Sequence, residues 1–105
     1  MSTSGDDRDG AWIGVATFTI LTESASSLKD KRGMIAPIVE RLRTRFPVSV
    51  ARLAYLDQLG KERIGMVVMN GDPDVCRSVL DKAVAFVASF GFRLEDTLVE
   101  VDRWD

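Results

Sequence analysis

Histidine is absent from the 105-residue sequence, and cysteine occurs only once. Without histidine, the chain has no side chain that ordinarily titrates near pH 7, and it cannot form a Ser-His or Cys-His nucleophile. The same two shortages exclude a disulfide framework and most zinc sites. Gly-rich phosphate loops of the dinucleotide and P-loop types are missing as well. These absences exclude most common catalytic, zinc and nucleotide-binding sites. We therefore expect a non-enzymatic protein without metal or cofactor.

Long apolar runs are also missing. Thr, Gly or charged residues interrupt the hydrophobic stretches well before the roughly 18 residues that a membrane span needs. The first ten residues, MSTSGDDRDG, are polar and acidic, and no apolar run follows a basic start. They predict a disordered acidic tail at 1–10 and neither a signal nor a transit peptide. We therefore expect a cytoplasmic protein with one domain at 11–105 and no contact with membranes.

Strand and helix patterns alternate along the remainder of the chain. Period-2 runs rich in β-branched residues predict four strands, and apolar residues at helical spacing predict two helices. Ser27 is the expected N-cap of the first helix, and Pro37 lies opposite its apolar stripe, which favours one kinked helix over two. Asp72, Pro73 and Gly91 mark the start and end of the second helix. The predicted strands are 11–21, 48–55, 63–69 and 92–101, and the predicted helices are 28–46 and 73–90.

The order β-α-β-β-α-β is typical of a ferredoxin-like α+β fold, with a four-stranded antiparallel sheet and two helices on one face. The other face stays open, and Val15, Thr17 and Thr19 are expected to line it. No pair of exposed aromatics is evident there, which disfavours stacking of RNA bases on the sheet. A β-branched face without charge favours self-association as a homodimer, and a partly solvated sheet is the alternative.

Positive charge is concentrated in the first helix. Residues 27–46 carry six basic and two acidic groups, whereas 70–105 carry four basic and eight acidic groups, and the whole chain has a net charge of −2. Cations at a helix start meet the positive pole of the helix dipole, so an anion bound there would explain them. Such a basic rim suits an RNA backbone, although a solvated helix surface has the same pattern. The net acidity of the chain argues against general, charge-driven binding of nucleic acids, and no readout of DNA sequence is expected. The candidate RNA- or anion-binding residues are Lys31, Arg41 and Arg45 on one flank of the stripe and Lys29, Arg32 and Arg43 on the other.

Candidate catalytic residues are few. Asp57 and Glu62 are the only acids of the central hairpin, and both are interpreted as solvated carboxylates. Cys76 lies on the apolar stripe of the second helix, where a small buried hydrophobe is expected and not a nucleophile. An enzymatic alternative would have to use Asp57 with Lys or Arg and no histidine.

Three segments resemble the YlxP-like family, a group of small bacterial proteins classed as a domain of unknown function. They are SLKDKR at 27–32, ERLRTRF at 40–46 and VSVA at 48–51. The similarity covers about 13–104 and continues through Asp57, Ile64-Gly65 and Leu80-Asp81. The resemblance implies a ferredoxin-like fold. It also implies an RNA or ribosome connection, because members often lie among genes for translation and ribosome maturation.

The chain departs from that family pattern at two places. Pro47 stands where an Asn commonly precedes VSVA, and Asp57-Gln58-Leu59-Gly60 replaces the usual Asp-Leu-Trp-Gln. A recognition role of that loop's Trp and Gln therefore does not transfer to this chain. Two hypotheses remain: an interaction protein that contacts RNA phosphates through the first helix, and a dimeric regulatory module that binds a small anion at the helix ends.

Overall fold

The computed structural model describes residues 10–105, so the tail predicted at 1–10 lies almost wholly outside the described residues. The predicted order β-α-β-β-α-β is confirmed, with element ends within a few residues of those expected. The elements are β1 Trp12–Leu21, α1 Leu28–Arg45, β2 Ser49–Ala54, β3 Lys61–Asn70, α2 Pro73–Ala88 and β4 Leu94–Arg103.

The four strands form one antiparallel sheet in the order β2-β3-β1-β4. β1 and β3 are therefore central, and β2 and β4 are the edge strands. α2 packs on β1, β3 and β4, whereas α1 packs beside β2. This is the ferredoxin-like α+β fold, and within residues 10–105 no helix covers the other face of the sheet.

A single core lies between the helices and the sheet. Phe18 and Ile20 of β1 are fully buried, because alternate strand residues point toward the helices. The apolar stripe of α1 contributes Ile35 and Leu42 to this core. Cys76 is also fully buried, as predicted, and burial raises the pKa of its thiol. Cys76 is therefore a core residue with little thiolate available for chemistry.

α1 begins at Leu28, directly after its N-cap Ser27, and continues without a break through Pro37. The Ser27 hydroxyl accepts a hydrogen bond of 3.0 Å from the backbone N–H of Asp30, which confirms the predicted N-cap. Pro37 is exposed on the outer side of the helix, so its ring does not enter the core. One helix therefore carries all of the predicted cationic residues.

Gly33 offers a direct test of helix stability on the outer surface of α1. A Cβ atom added there would meet nothing within 4 Å. Because glycine in a helix interior costs about 0.5–1 kcal/mol relative to alanine, Gly33→Ala should raise the free energy of unfolding by that amount. Urea denaturation of the two proteins measures the difference. A loss of stability would mean that the turn before Pro37 needs the conformational freedom of glycine.

The face without helices differs from the expectation in one respect. Val15, Thr17 and Thr19 lie on it as predicted, but the face is not free of charge. Arg63 of β3 extends across it and donates hydrogen bonds of 2.9 Å to the Thr19 hydroxyl and 2.8 Å to the Thr17 hydroxyl. The expectation of an uncharged face was wrong because Arg63 pairs with Thr19 in the β1–β3 register.

Candidate nucleic-acid interface

Five of the six predicted cationic residues lie on the solvent-exposed surface of α1. They divide into two groups, one on each side of the helix, as the helical spacing indicates. We call this set the basic rim, and it consists of Lys29, Arg32, Arg41, Arg43 and Arg45.

One flank of the basic rim faces the edge strand β2. Arg43 donates a hydrogen bond of 3.2 Å from Nη2 to the carbonyl oxygen of Val50. This bond fixes the guanidinium beside the sheet edge while leaving its other N–H groups available. Lys29 and Arg32 are exposed in the first turns of the same helix.

The other flank faces the C-terminal part of α2. The guanidinium carbon of Arg45 lies 4.7 Å from the centre of the Phe86 ring, and that of Arg41 lies 5.3 Å from the centre of the Phe90 ring. The two phenyl rings pack edge to face against one another, with their centres 5.1 Å apart. An arginine stacked on a ring keeps its planar edge of N–H donors free for a ligand.

No ion pair with a residue of the described part of the chain neutralises the charges of the basic rim. Within residues 10–105, no carboxylate lies within 4.0 Å of the charged groups of these five residues. The acids of α1 are Asp30 and Glu40, so the exposed surface of the helix carries five positive and two negative charges. The result is a local excess of three positive charges on an otherwise acidic protein.

The prediction for Lys31, the sixth cationic residue, was wrong. Its side chain is fully buried and does not belong to the basic rim. The ammonium nitrogen donates hydrogen bonds to the carbonyl oxygens of Tyr55, at 2.6 Å, and of Gln58, and it lies 3.3 Å from Oε1 of Glu62. The spacing contained this signal, because Lys31 is four residues before Ile35 on the apolar stripe.

The prediction for Glu62 was also wrong. This residue was expected to be solvated, but it is fully buried, because it alternates with Ile64 on the helix-facing side of β3. Its carboxylate accepts hydrogen bonds from Nε of Arg52 and, at 2.8 Å, from Nη2 of Arg52. These bonds raise the pKa of the Arg52 guanidinium. Lys31 and Glu62, which are both fully buried, and the partly exposed Arg52 together form what we call the buried ion network.

The buried ion network holds the β2–β3 loop against the start of α1. Lys31 fixes the loop through the two carbonyl oxygens that it binds. Thr22 holds the other end, with its hydroxyl 2.6 Å from the Leu59 carbonyl oxygen and its N–H 2.8 Å from that of Gly60. Asp57 lies exposed on this loop. The network is therefore structural, and it positions the first turns of α1.

The start of α1 already faces an anion of the chain itself. The Asp30 carboxylate accepts hydrogen bonds from the Ser26 hydroxyl and, at 3.3 Å, from the Ser26 N–H. The bond from the hydroxyl lowers the pKa of Asp30. A carboxylate in the first turn is favourably placed at the positive pole of the helix dipole. The cations at the helix start thus have an acidic neighbour in the same turn.

Within residues 10–105, no helix is both long and apolar enough to span a membrane. No group of three or more Cys, Asp or Glu residues in this range is arranged to hold a metal ion.

Comparison with known proteins places most of the chain in one group. Residues 13–101 match the family model described as "Protein of unknown function (DUF503)". The "Uncharacterized protein YlxP" of Bacillus subtilis (strain 168) is 28% identical over 78 residues, which cover 74% of this chain and 85% of that protein. The "De novo designed protein Foldit4" superposes with a TM-score of 0.46 at 12% identity, over 90% of this chain and 97% of that one.

Proposed function

The chain belongs to the DUF503 family of proteins of unknown function, and on that premise we propose that it is a non-enzymatic interaction protein that binds RNA phosphates through the basic rim. The RNA is ribosomal RNA or its precursor, in line with the connection that the family resemblance implies. Binding follows the phosphate backbone and tolerates different base sequences.

The observation that supports the proposal is that five cations on one helix have no carboxylate partner among residues 10–105. A cation already paired with a carboxylate would have to break that pair before it could bind a phosphate. Arg41 and Arg45 are held instead by phenyl rings, and Arg43 by a backbone carbonyl. These contacts leave the charge intact and reduce the side-chain entropy lost on binding.

The length of the basic rim suits an extended ligand. Lys29 and Arg45 are separated by 16 residues of helix, which corresponds to about 24 Å at about 1.5 Å per residue. This distance is about three times the Debye length of roughly 8 Å at physiological ionic strength. The cations at the two ends of the helix therefore act as separate phosphate contacts, and not as one point of charge.

Sequence tolerance follows from the composition of the sheet. In the described strands, the residues on the face without helices include no aromatic side chain. The strands themselves therefore offer bases no ring to stack on at the centre of that face, unlike in RNA-recognition modules of this topology. Affinity comes from phosphate contacts and the release of counterions, which carry no base specificity.

The test compares two triple variants that lose the same charge. Arg41→Gln, Arg43→Gln and Arg45→Gln remove three cations of the basic rim, whereas Arg77→Gln, Lys82→Gln and Arg93→Gln remove three exposed cations elsewhere. We expect the rim variant to bind a 20-nucleotide poly(U) RNA roughly 10- to 100-fold more weakly than wild type in 50 mM salt. The control variant should bind within about threefold of wild type.

The salt dependence of RNA binding gives an independent count of the phosphate contacts. Single-stranded RNA contributes a slope of about −0.7 per phosphate contact to a plot of log K against log salt. Five contacts give a slope of about −3.5 for wild type, and the rim variant should retain about −1.4. Co-sedimentation with small ribosomal subunits at low and high salt extends the measurement to a natural RNA. Absence of binding at 50 mM salt, or equal weakening by both variants, would reject the proposal.

A further inference from the structure

The face without helices exposes an unusual amount of apolar surface. Val67 is 40% exposed, Val15 42%, Leu98 53% and Met69 59%. They are neighbours, because Val15 pairs with Val67 in the β1–β3 register and Ile13 pairs with Met69. A contiguous apolar patch of this kind on a small protein marks an interaction surface.

Gly65 makes the centre of this face concave. It lies in the interior of β3 opposite Thr17, and without a side chain it leaves a groove of about 240 Å³. Leu53 and Val67 form part of the lining of the groove. A concave centre can accept apolar side chains from another surface, so the face is shaped for packing and not only for solvation.

On the same face, the acidic and the basic residues lie on different strands. Residues that pair directly across an antiparallel sheet share a face, so Glu95, Glu100 and Asp102 of β4 lie on the face of Thr19, Val15 and Ile13. The cations of this face lie on β3, on the other side of β1, and they are Lys61 and Arg63. In residues 10–105, Arg63 has hydrogen bonds to Thr17, Thr19 and the Asp96 carbonyl but no carboxylate partner within 4.0 Å.

We propose that this face packs against the same face of a second copy of the chain, with the two-fold axis parallel to the strands. β4 of one copy then lies over the β2 side of the other. Rotation about this axis keeps each residue at its level along the strands, so Glu95, which is level with Thr19 and Arg63, approaches the end of the partner sheet that carries the cations. The inference goes beyond RNA binding, because α1 stays on the outer surface of each copy and the basic rim remains accessible.

Charge selects this axis over the alternative. A two-fold axis across the strands would place β4 over β4 and bring two rows of three carboxylates together. Like charges brought together at an interface cost free energy and suppress that arrangement. Rotation about an axis along the strands exchanges the two edges of the sheet, so each acidic edge meets the opposite edge of the partner.

The area of the face is sufficient for a specific dimer. Four strands spaced about 4.8 Å apart and ten residues long, at about 3.3 Å per residue, cover roughly 600 Å². The shorter strand β2 reduces this figure only slightly. Two copies together therefore bury more than about 1,000 Å², which is the lower bound for a specific interface.

The experiment uses two valines of matched exposure. Val67 is 40% exposed on the proposed interface, and Val75 is 39% exposed on α2, on the helical side. Sedimentation equilibrium between about 1 and 500 μM should show a monomer–dimer equilibrium for wild type. Val67→Lys should weaken the dimer at least tenfold, because the axis brings the two copies of this central residue close together. Val75→Lys should dimerise as wild type does, and circular dichroism verifies folding.

Each other outcome overturns the proposal. Wild type that stays monomeric up to 500 μM shows that a second copy does not cover the face and leaves a different partner as its occupant. Dimerisation of both variants places the contact elsewhere, and loss of the dimer in both shows a general effect of added charge. Leu98→Lys, at another exposed position of the same face, provides the second measurement if Val67→Lys does not fold. RNA binding by monomeric Val67→Lys separates this result from the fate of the basic rim.

Discussion

Glu62→Gln should lower the free energy of unfolding by about 3–5 kcal/mol. Glu62 is fully buried and supplies the only carboxylate that lies within 4.0 Å of the Lys31 ammonium among residues 10–105. Glutamine keeps the size and some hydrogen bonds but removes the charge, which leaves the buried Lys31 without a counter-ion. Removal of one partner from a buried ion pair costs about this much because the remaining charge stays desolvated. The loss is a large part of the roughly 5–15 kcal/mol that stabilises a typical domain.

Thermal and urea denaturation measure the effect. At about 4–8 °C per kcal/mol for a domain of this size, the melting temperature should fall by at least roughly 12 °C. Asp57→Asn is the matched control, because it removes a carboxylate from the exposed part of the adjacent loop. That change should alter stability by less than about 0.5 kcal/mol. A loss below about 1 kcal/mol in Glu62→Gln would contradict the role assigned to the buried ion network.

A double-mutant cycle separates the ion pair from the loop contacts. Lys31→Met alone leaves Glu62 with Arg52 but deprives the carbonyl oxygens of Tyr55 and Gln58 of their donor. Combined with Glu62→Gln, it should lower the free energy of unfolding by less than the sum of the two single changes. In the double variant, Glu62→Gln no longer leaves a buried lysine ammonium without its counter-ion. Strict additivity would show that Lys31 and Glu62 do not interact.

The elements of the fold follow from sequence because each signal is local. The N-cap at Ser27 depends on residues within one helical turn, and so does the start of α2 at Asp72 and Pro73. The helical and strand periods identify the buried stripes, and a β-α-β-β-α-β order with short connections leaves few possible topologies. Prediction was therefore correct for the architecture, and its differences were confined to element ends.

The buried ion network could not be predicted in the same way, because its members are distant in sequence. Lys31 and Glu62 are 31 positions apart, and their contact depends on α1 lying beside the β2–β3 hairpin. The helical period of the sequence places Lys31 on a buried stripe. It does not show which carboxylate would pair with the buried ammonium and so make its burial tolerable. The charge of its side chain led to the prediction that this lysine is on the surface, where lysines are usually found. The other five cations have no such partner in the part of the chain that the structure describes, and they lie on the surface as the pattern predicts.

Gly14→Val should destabilise the protein by about 3 kcal/mol, although valine favours strands. Gly14 lies on the helix-facing side of β1, where an added Cβ would be 2.7 Å from Cδ1 of Leu80 and 3.2 Å from Cβ of Cys76. Leu80 can rotate, but the Cβ of Cys76 is fixed to α2, so the helix itself must move. Overpacking of a dense core costs about 1–3 kcal/mol, and displacement of a helix places this change at the upper end. Urea denaturation at low protein concentration measures the loss without a contribution from self-association.

Gly65→Val is the matched control on the opposite side of the same sheet. An added Cβ at Gly65 would lie 2.8 Å from Cδ1 of Leu53, which is the free end of a half-exposed side chain. Leu53 can turn toward solvent, so the expected change in unfolding free energy is within about 1 kcal/mol. The sequence does not distinguish the two strand glycines, since both interrupt β-branched runs. An equal loss in both variants would mean that backbone conformation, and not the close approach of α2 to β1, requires glycine at position 14.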